Sequence, residues 1–155
     1  MRIAIGCDEL AYDMKKEIIR RLSLEGVEFI DYGVGPNEKA DYPDIAQLVT
    51  SSLRNNEADR GILICGTGIG MCISANKVKG IYAAVCHDLY STQRSILSND
   101  INVMCIGALV VGIATATEMV RTWLSLEFKE SPSLRKINKI KEIEKLQLMG
   151  ANHEK

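Results

Sequence analysis

The sequence predicts an α/β protein: a Rossmann-like, doubly wound, five-stranded parallel sheet with helices on both faces, a three-layer αβα arrangement. Three observations predict it. Five strand-like apolar runs alternate with segments of helical period. The run Ile62–Cys65 is apolar throughout and bounded by glycines, as in a parallel strand buried on both faces. The stretch Gly61–Gly70 (GILICGTGIG) then joins that strand through a tight turn to a segment, Met71–Lys77, of helical composition.

Taken in order, Arg2–Cys7 is a first strand, and Asp8 after it can cap a helix. Over Glu9–Glu25, Leu10, Met14, Ile18 and Leu22 recur every four residues with Ile19 beside them. Lys15, Lys16, Arg20 and Arg21 take the other face, which gives an amphipathic helix closed by Gly26. Val27–Tyr32 is a second strand and Gly33–Ala40 a polar loop. A helix runs from Asp41 to Asn55 with Pro43 in its first turn. Asp59–Cys65 is the third strand, and the helix behind the glycine turn extends to Val78. Ile81–Cys86 is a fourth strand, His87–Leu97 a helix, Asn102–Leu109 a fifth strand and Gly112–Phe128 a long helix. Pro132 breaks the chain, and Ser133–Leu148 is a last, charged helix carrying Leu134, Ile137, Ile140, Ile143 and Leu146, a docking face suited to a dimer. One domain over 1–148 and a disordered tail over 149–155 complete the expectation. Ligands in such sheets bind beyond the carboxyl ends of the strands. That rule places Cys7-Asp8, Cys65–Gly70, His87-Asp88 and the segment around Asn99 on one functional edge.

At 155 residues, 46% apolar and 25% charged, the composition is that of a soluble globular chain. A net charge of −1 argues against a nucleic-acid surface. The apolar runs fall short of the ~18 residues of a membrane helix, and no signal-peptide core precedes the first strand. The cysteines Cys7, Cys65, Cys72, Cys86 and Cys105 are odd in number and form no CxxC pair, so reduced thiols and a cytoplasmic location are expected. His87 and His153 lie near no ligand-spaced cysteine pair, which argues against a zinc site.

Spacing sorts the glycine turn. A dinucleotide fingerprint beginning at Gly66 needs glycine where Met71 stands, and one beginning at Gly68 needs it where Ile73 stands. A Walker A loop needs Gly-Lys-Ser/Thr, which is absent. A CxxxxxR phosphatase loop needs arginine, again at Met71. What remains is a nest for a phosphate or oxyanion with the Cys65 thiol at its mouth. Cys65 by itself reads first as a small buried hydrophobe at a strand end, the usual fate of a free cysteine. The turn and helix start behind it favour a thiolate and a reactive role. Thr67 can donate a hydroxyl to a substrate oxygen or simply cap the helix.

The text of Gly61–Lys77 resembles the ribose-5-phosphate isomerase B / galactose-6-phosphate isomerase family, as do IAIGCDE (Ile3–Glu9), DYPDIA (Asp41–Ala46), AAVCHDLYS (Ala83–Ser91) and NDINVMCIGALVVG (Asn99–Gly112). The resemblance runs over about residues 1–145, with every element in order. It implies an aldose–ketose isomerase of a small phosphorylated sugar, working without metal or cofactor through a cis-enediolate. By the same resemblance Cys65 is the base, and Gly66, Gly68, Ile69 and Gly70 hold the enediolate oxygens. Asp8 and Tyr42 match positions that contact the sugar. Asn99 matches one that reaches the substrate from a second subunit, which implies a homodimer, or a dimer of dimers, with active sites at the interface.

Departures from the family pattern narrow the substrate. The ring-opening histidine of its ribose-phosphate members is Ser98 here, and Glu9 stands where a histidine often follows the first-strand Asp. Leu109 precedes Val-Val-Gly where the family has arginine. The phosphate segment Gly-Gly-Arg-His is close to Ser131–Leu134, leaving Arg135 and Lys136 as nearby cations; Lys136 aligns with the last phosphate-binding arginine. Serine is a far weaker acid/base than imidazole. The substrate is therefore of the ribose 5-phosphate type or, if the sugar is open-chain, a tetrose phosphate, with His87 or Glu9 as a substitute acid. The rival readings are a subunit of a heteromeric galactose-6-phosphate isomerase and a non-catalytic sugar-phosphate-binding module.

Overall fold

The computed structural model describes residues 1–150, with side chains described through Gln147. Five strands, β1 (Arg2–Cys7), β2 (Glu28–Asp31), β3 (Arg60–Cys65), β4 (Ala83–Val85) and β5 (Val103–Gly107), form one sheet in the order β2-β1-β3-β5-β4. Every pairing is parallel. The helices are α1 (Tyr12–Ser23), α2 (Tyr42–Arg54), α3 (Ile69–Ala75), α4 (Leu89–Leu97), α5 (Ile113–Ser125) and α6 (Leu134–Gly150).

Successive side chains of a strand point to opposite faces, and here both faces are apolar. Ile3, Ile5, Ile62, Ile64, Met104 and Ile106 pack with α1 and α5 residues such as Ile18, Met119 and Trp123. Ala4, Leu63, Cys65, Val103 and Cys105 pack under α2 and α3, against Val49, Met71 and Ala75. The chain leaves β1 for β2 and then returns across β1 to β3. That reversal sits between β1 and β3, and their carboxyl ends open the crevice in which such sheets bind ligands.

Several boundaries differ from the sequence expectation, each for a local reason. Asp8 caps a short 3-10 turn, Glu9–Ala11, accepting from the Leu10 N–H at 3.1 Å, and α1 starts only at Tyr12. Leu10 thereby leaves the core stripe and is exposed. Gly26, at φ +89°, closes α1 as expected, with Val27 N–H returning to Leu22 O at 3.1 Å. Lys15 is not on a solvated face: it is buried, and its Nζ donates to Asp31 Oδ1 and to Val34 O, both at 2.9 Å. β4 is three residues rather than six: ahead of it Ile81 N–H closes a turn onto Val78 O, and the Asn102 side chain takes Tyr82 N–H and Gly80 O, while the Asn76 side chain covers the open edge at Ala83. α5 stops at Ser125, where the Arg60 guanidinium takes Trp123 O (2.8 Å) and Leu126 O (2.7 Å). α6 runs to Gly150, past the expected end at Leu148; residues 151–155 of the expected tail lie outside the described residues. No described helix is long and apolar enough to cross a membrane.

Candidate active site

The glycine turn is shaped by close approaches that only glycine permits. Gly68 has φ +76°, and a Cβ there would lie 3.0 Å from the Ile106 carbonyl carbon. A Cβ on Gly107 would lie 2.8 Å from the Thr67 carbonyl carbon, so β5 presses its last residue against the turn. A Cβ on Gly70 would strike the Tyr42 ring at 2.7 Å. The first turn of α2 therefore lays Tyr42 over the start of α3. Gly66 faces Leu10 and Leu109, whose methyls would stand 3.1 and 3.4 Å from a Cβ there.

Cys65 ends β3, 5% exposed, in register with Gly107. Its Sγ accepts the Gly68 N–H at 3.1 Å. Its backbone carbonyl accepts from Ala108 at 2.8 Å, and that of Gly66 from Leu109 at 3.0 Å, which pins the turn to the β5 end. Thr67 Oγ1 accepts the Ile69 N–H at 3.3 Å, the capping role, and this leaves its own O–H free to donate. Asp8 joins the group through its N–H to Ile64 O at 3.3 Å. Burial raises the Asp8 carboxyl above the usual range, opposed by the Leu10 N–H. Asp8, Tyr42 and Cys65–Gly70 thus form one cluster in the β1/β3 crevice. It presents buried sulfur, backbone N–H donors and a hydroxyl to a small polar ligand.

His87 stands at the same edge. Its Nε2 accepts the Gly107 N–H at 3.0 Å, so a proton from this ring has to leave Nδ1. Glu9 is exposed and opens on a separate cavity with Tyr12, Asp13 and the loop Gly35–Glu38.

Ser98 and Asn99 do not share this edge, and the expectation that placed the Asn99 segment there is corrected. A crossover helix runs antiparallel to its strands. α4 starts at the carboxyl end of β4, and its nine residues carry the chain ~13 Å back. Ser98 caps its far end, and Asn102, just beyond, accepts from Gly61 N–H and Tyr82 N–H at the amino-terminal ends of β3 and β4. Asp100, at φ +51°, closes this turn through its N–H to Ile96 O, the loop role. Ser98 Oγ accepts from Arg94 Nε (3.0 Å) and Nη2 (2.7 Å). Arg135 and Lys136 are exposed at the start of α6, lining an open cavity of about 840 Å³ with Ser131, Pro132 and Asn138. The single chain therefore brings together Asp8, Tyr42 and Cys65–Gly70, and holds Ser98, Asn99, Arg135 and Lys136 apart from them.

Sequence reasoning missed Gly107 and Leu10, which border the glycine turn. Gly107 was findable, as a glycine closing a strand that can lie beside Cys65.

Known proteins match the chain in sequence and in fold. The family model described as Ribose/Galactose Isomerase matches residues 3–140. The chain is 49% identical over 144 residues to "Ribose-5-P isomerase B" of Listeria innocua, covering 93% of this chain and 97% of that one. It is 45% identical over 141 residues to "D-erythrulose-4-phosphate isomerase" of Pectobacterium atrosepticum, covering 90% and 93%. The solved ribose-5-phosphate isomerase B of Clostridium thermocellum superposes with a TM-score of 0.91 at 45% identity, over 95% of this chain and 99% of that one. The chain belongs to the ribose/galactose isomerase family and is a sugar-phosphate isomerase.

Proposed function

We propose that this isomerase interconverts the aldose and ketose forms of a short, open-chain sugar phosphate through a cis-enediolate, with Cys65 as the base. The observation that carries the reading is Cys65 Sγ at the mouth of the glycine turn, held by the Gly68 N–H at 3.1 Å. The thiolate removes the proton from C2 of the aldose and returns it to C1, while the hydroxyl proton moves from O2 to O1. Negative charge gathers on the two oxygens in between, and the turn Gly66–Gly70 offers it N–H groups other than those of Gly68 and Ile69, which hold Cys65 Sγ and Thr67 Oγ1. Thr67 O–H is a further donor, and Tyr42 and Asp8 bound the sugar. No cofactor has a role in this chemistry.

The separation of Ser98, Asn99 and Lys136 from the Cys65 cluster supports a homodimer in which one copy's amino-terminal edge completes the other's site. The exposed side chains Ile140, Ile143 and Leu146 on α6 suit that contact. An open-chain substrate follows from Ser98: its oxygen is tied to a guanidinium, so neither group is a good acid or base for opening a ring. A tetrose 4-phosphate has no free hydroxyl with which to close a furanose. The Pectobacterium relative, named for erythrulose 4-phosphate, is consistent with this choice. A panel of four-, five- and six-carbon aldose and ketose phosphates, assayed on the isolated chain, tests the reading. Erythrulose 4-phosphate is expected to turn over with the highest kcat/KM; faster turnover of ribose 5-phosphate overturns it. Full activity of the isolated chain also excludes a need for a second, different subunit.

A further inference from the structure

Among the described residues, the cations drawn in from solvent differ in how fully their donors are matched. Lys15 has Asp31 and the Val34 carbonyl. Arg60 has two carbonyls at the end of α5. Arg94 is half-buried on α4 and, among the described residues, pairs with no carboxylate. Its Nε and one N–H of Nη2 are committed to Ser98 Oγ. A guanidinium carries five N–H donors, and the described residues supply no acceptor for the other three. The two bonds to a single oxygen fix the plane of the fork. Arg94 lines a cavity of about 460 Å³ together with Asn99, Ser91, Ser95 and Tyr82.

A half-buried guanidinium that faces a cavity with three uncommitted N–H donors and no paired carboxylate suits a tetrahedral oxyanion, which accepts two parallel N–H bonds. We infer that Arg94, oriented by Ser98 and assisted by the Asn99 amide, is the binding site for the substrate's phosphate group. This rests on the isomerase reading above and adds to it what selects the sugar. In that reading Ser98 and Asn99 face the far end of a substrate held by the partner's Cys65 cluster. Shortening a sugar phosphate by one carbon draws its phosphate about one C–C bond, ~1.5 Å, toward the reacting carbons. A cation fixed beside Ser98 meets the phosphate of the shorter sugar. A guanidinium offers donors and no acceptor, so this position grips charge.

Two measurements on the full chain test the site. The first is calorimetric titration with inorganic phosphate. Arg94→Gln is expected to weaken binding roughly ten- to hundredfold, and Arg94→Lys, which keeps charge but loses the fork, to recover part of it. Phosphate affinity unchanged in Arg94→Gln overturns the assignment. The second is the kinetics of erythrulose 4-phosphate against unphosphorylated erythrulose. Arg94→Gln is expected to raise KM for the phosphorylated ketose, with kcat far less affected, and to leave the unphosphorylated one unchanged. An equal loss on both ketoses overturns the assignment, because a residue that merely supports the fold gives that result. If phosphate binding depends on Arg94 but no sugar phosphate is isomerised, the site stands and the proposed function fails. If isomerisation proceeds and its KM ignores Arg94, the function stands and the site fails.

Discussion

The Gly68 N–H points at Cys65 Sγ across 3.1 Å, and it can do so only because Gly68 is folded back at φ +76°. In this left-handed conformation the residue turns the chain from the end of β3 into α3. It also lies flat against the Ile106 backbone. The sulfur and the first donors of α3 are therefore positioned by one peptide rather than by flexible side chains. A preorganised site of this kind needs no reorganisation when charge develops on a substrate.

Replacing Gly68 with Ala tests that rigidity. The left-handed conformation disfavours any Cβ, and the Ile106 backbone 3.0 Å away has no room to give. A loss of about 2–4 kcal/mol of stability is expected, read by urea unfolding. A larger proportional fall in kcat than in substrate affinity should accompany it, because the donor to Cys65 moves with the turn.

Cys72 is the thiol most open to reagents among those whose ionisation is displaced. A hydrogen bond with the buried Cys105 thiol, aided by the Val85 N–H and the Asn76 side chain and opposed by burial, brings Cys72 down to about 7. Burial pushes Cys7 and Cys86 up to about 11, and Cys105 well above its ordinary value. The thiolate is the nucleophile, so Cys72 alkylation by iodoacetamide should accelerate as pH rises through about 7 and level off above it. Peptide mapping of a pH series checks this. A rate that keeps rising toward pH 9 without that step contradicts it.

Arg60 holds the end of α5 from the first residue of β3. Its two N–H bonds reach Trp123 O and Leu126 O, and its guanidinium stacks 5.1 Å from the Trp123 ring centre. Burial lowers its affinity for its proton. Arg60→Met keeps the stem and strands both carbonyls. It should cost about 2–3 kcal/mol in urea unfolding while leaving substrate KM near that of the native chain.

The fold was legible where chemistry is local. The boundaries Arg2–Cys7 and the glycine turn follow from runs of apolar or small residues that have few other uses. Gly26 was readable because a helix end favours glycine there. What escaped depends on partners distant in sequence. Lys15 has the spacing of a solvated residue, and only Asp31 and Val34 across the sheet edge explain its burial. The early stop of α5 comes from Arg60, 63 residues away. Asn99 lies on the edge opposite the one that the carboxyl-end rule suggests, because α4 runs against the strands and delivers its far end to the other side. The thiol and its glycines were visible, but the guanidinium on Ser98 was not, since an arginine four residues before a serine is ordinary on any helix.

Proton transfer at carbon by Cys65 is the central claim, and exchange with solvent deuterium reports it most directly. The full chain is incubated with its best sugar phosphate in deuterated buffer, and label at C1 of the aldose–ketose pair is followed by NMR. The native protein is predicted to incorporate deuterium during turnover. Cys65→Ala should lose incorporation by about a thousandfold or more, as expected for removal of a positioned base, while still binding the sugar phosphate. Incorporation by Cys65→Ala at the native rate would contradict the account.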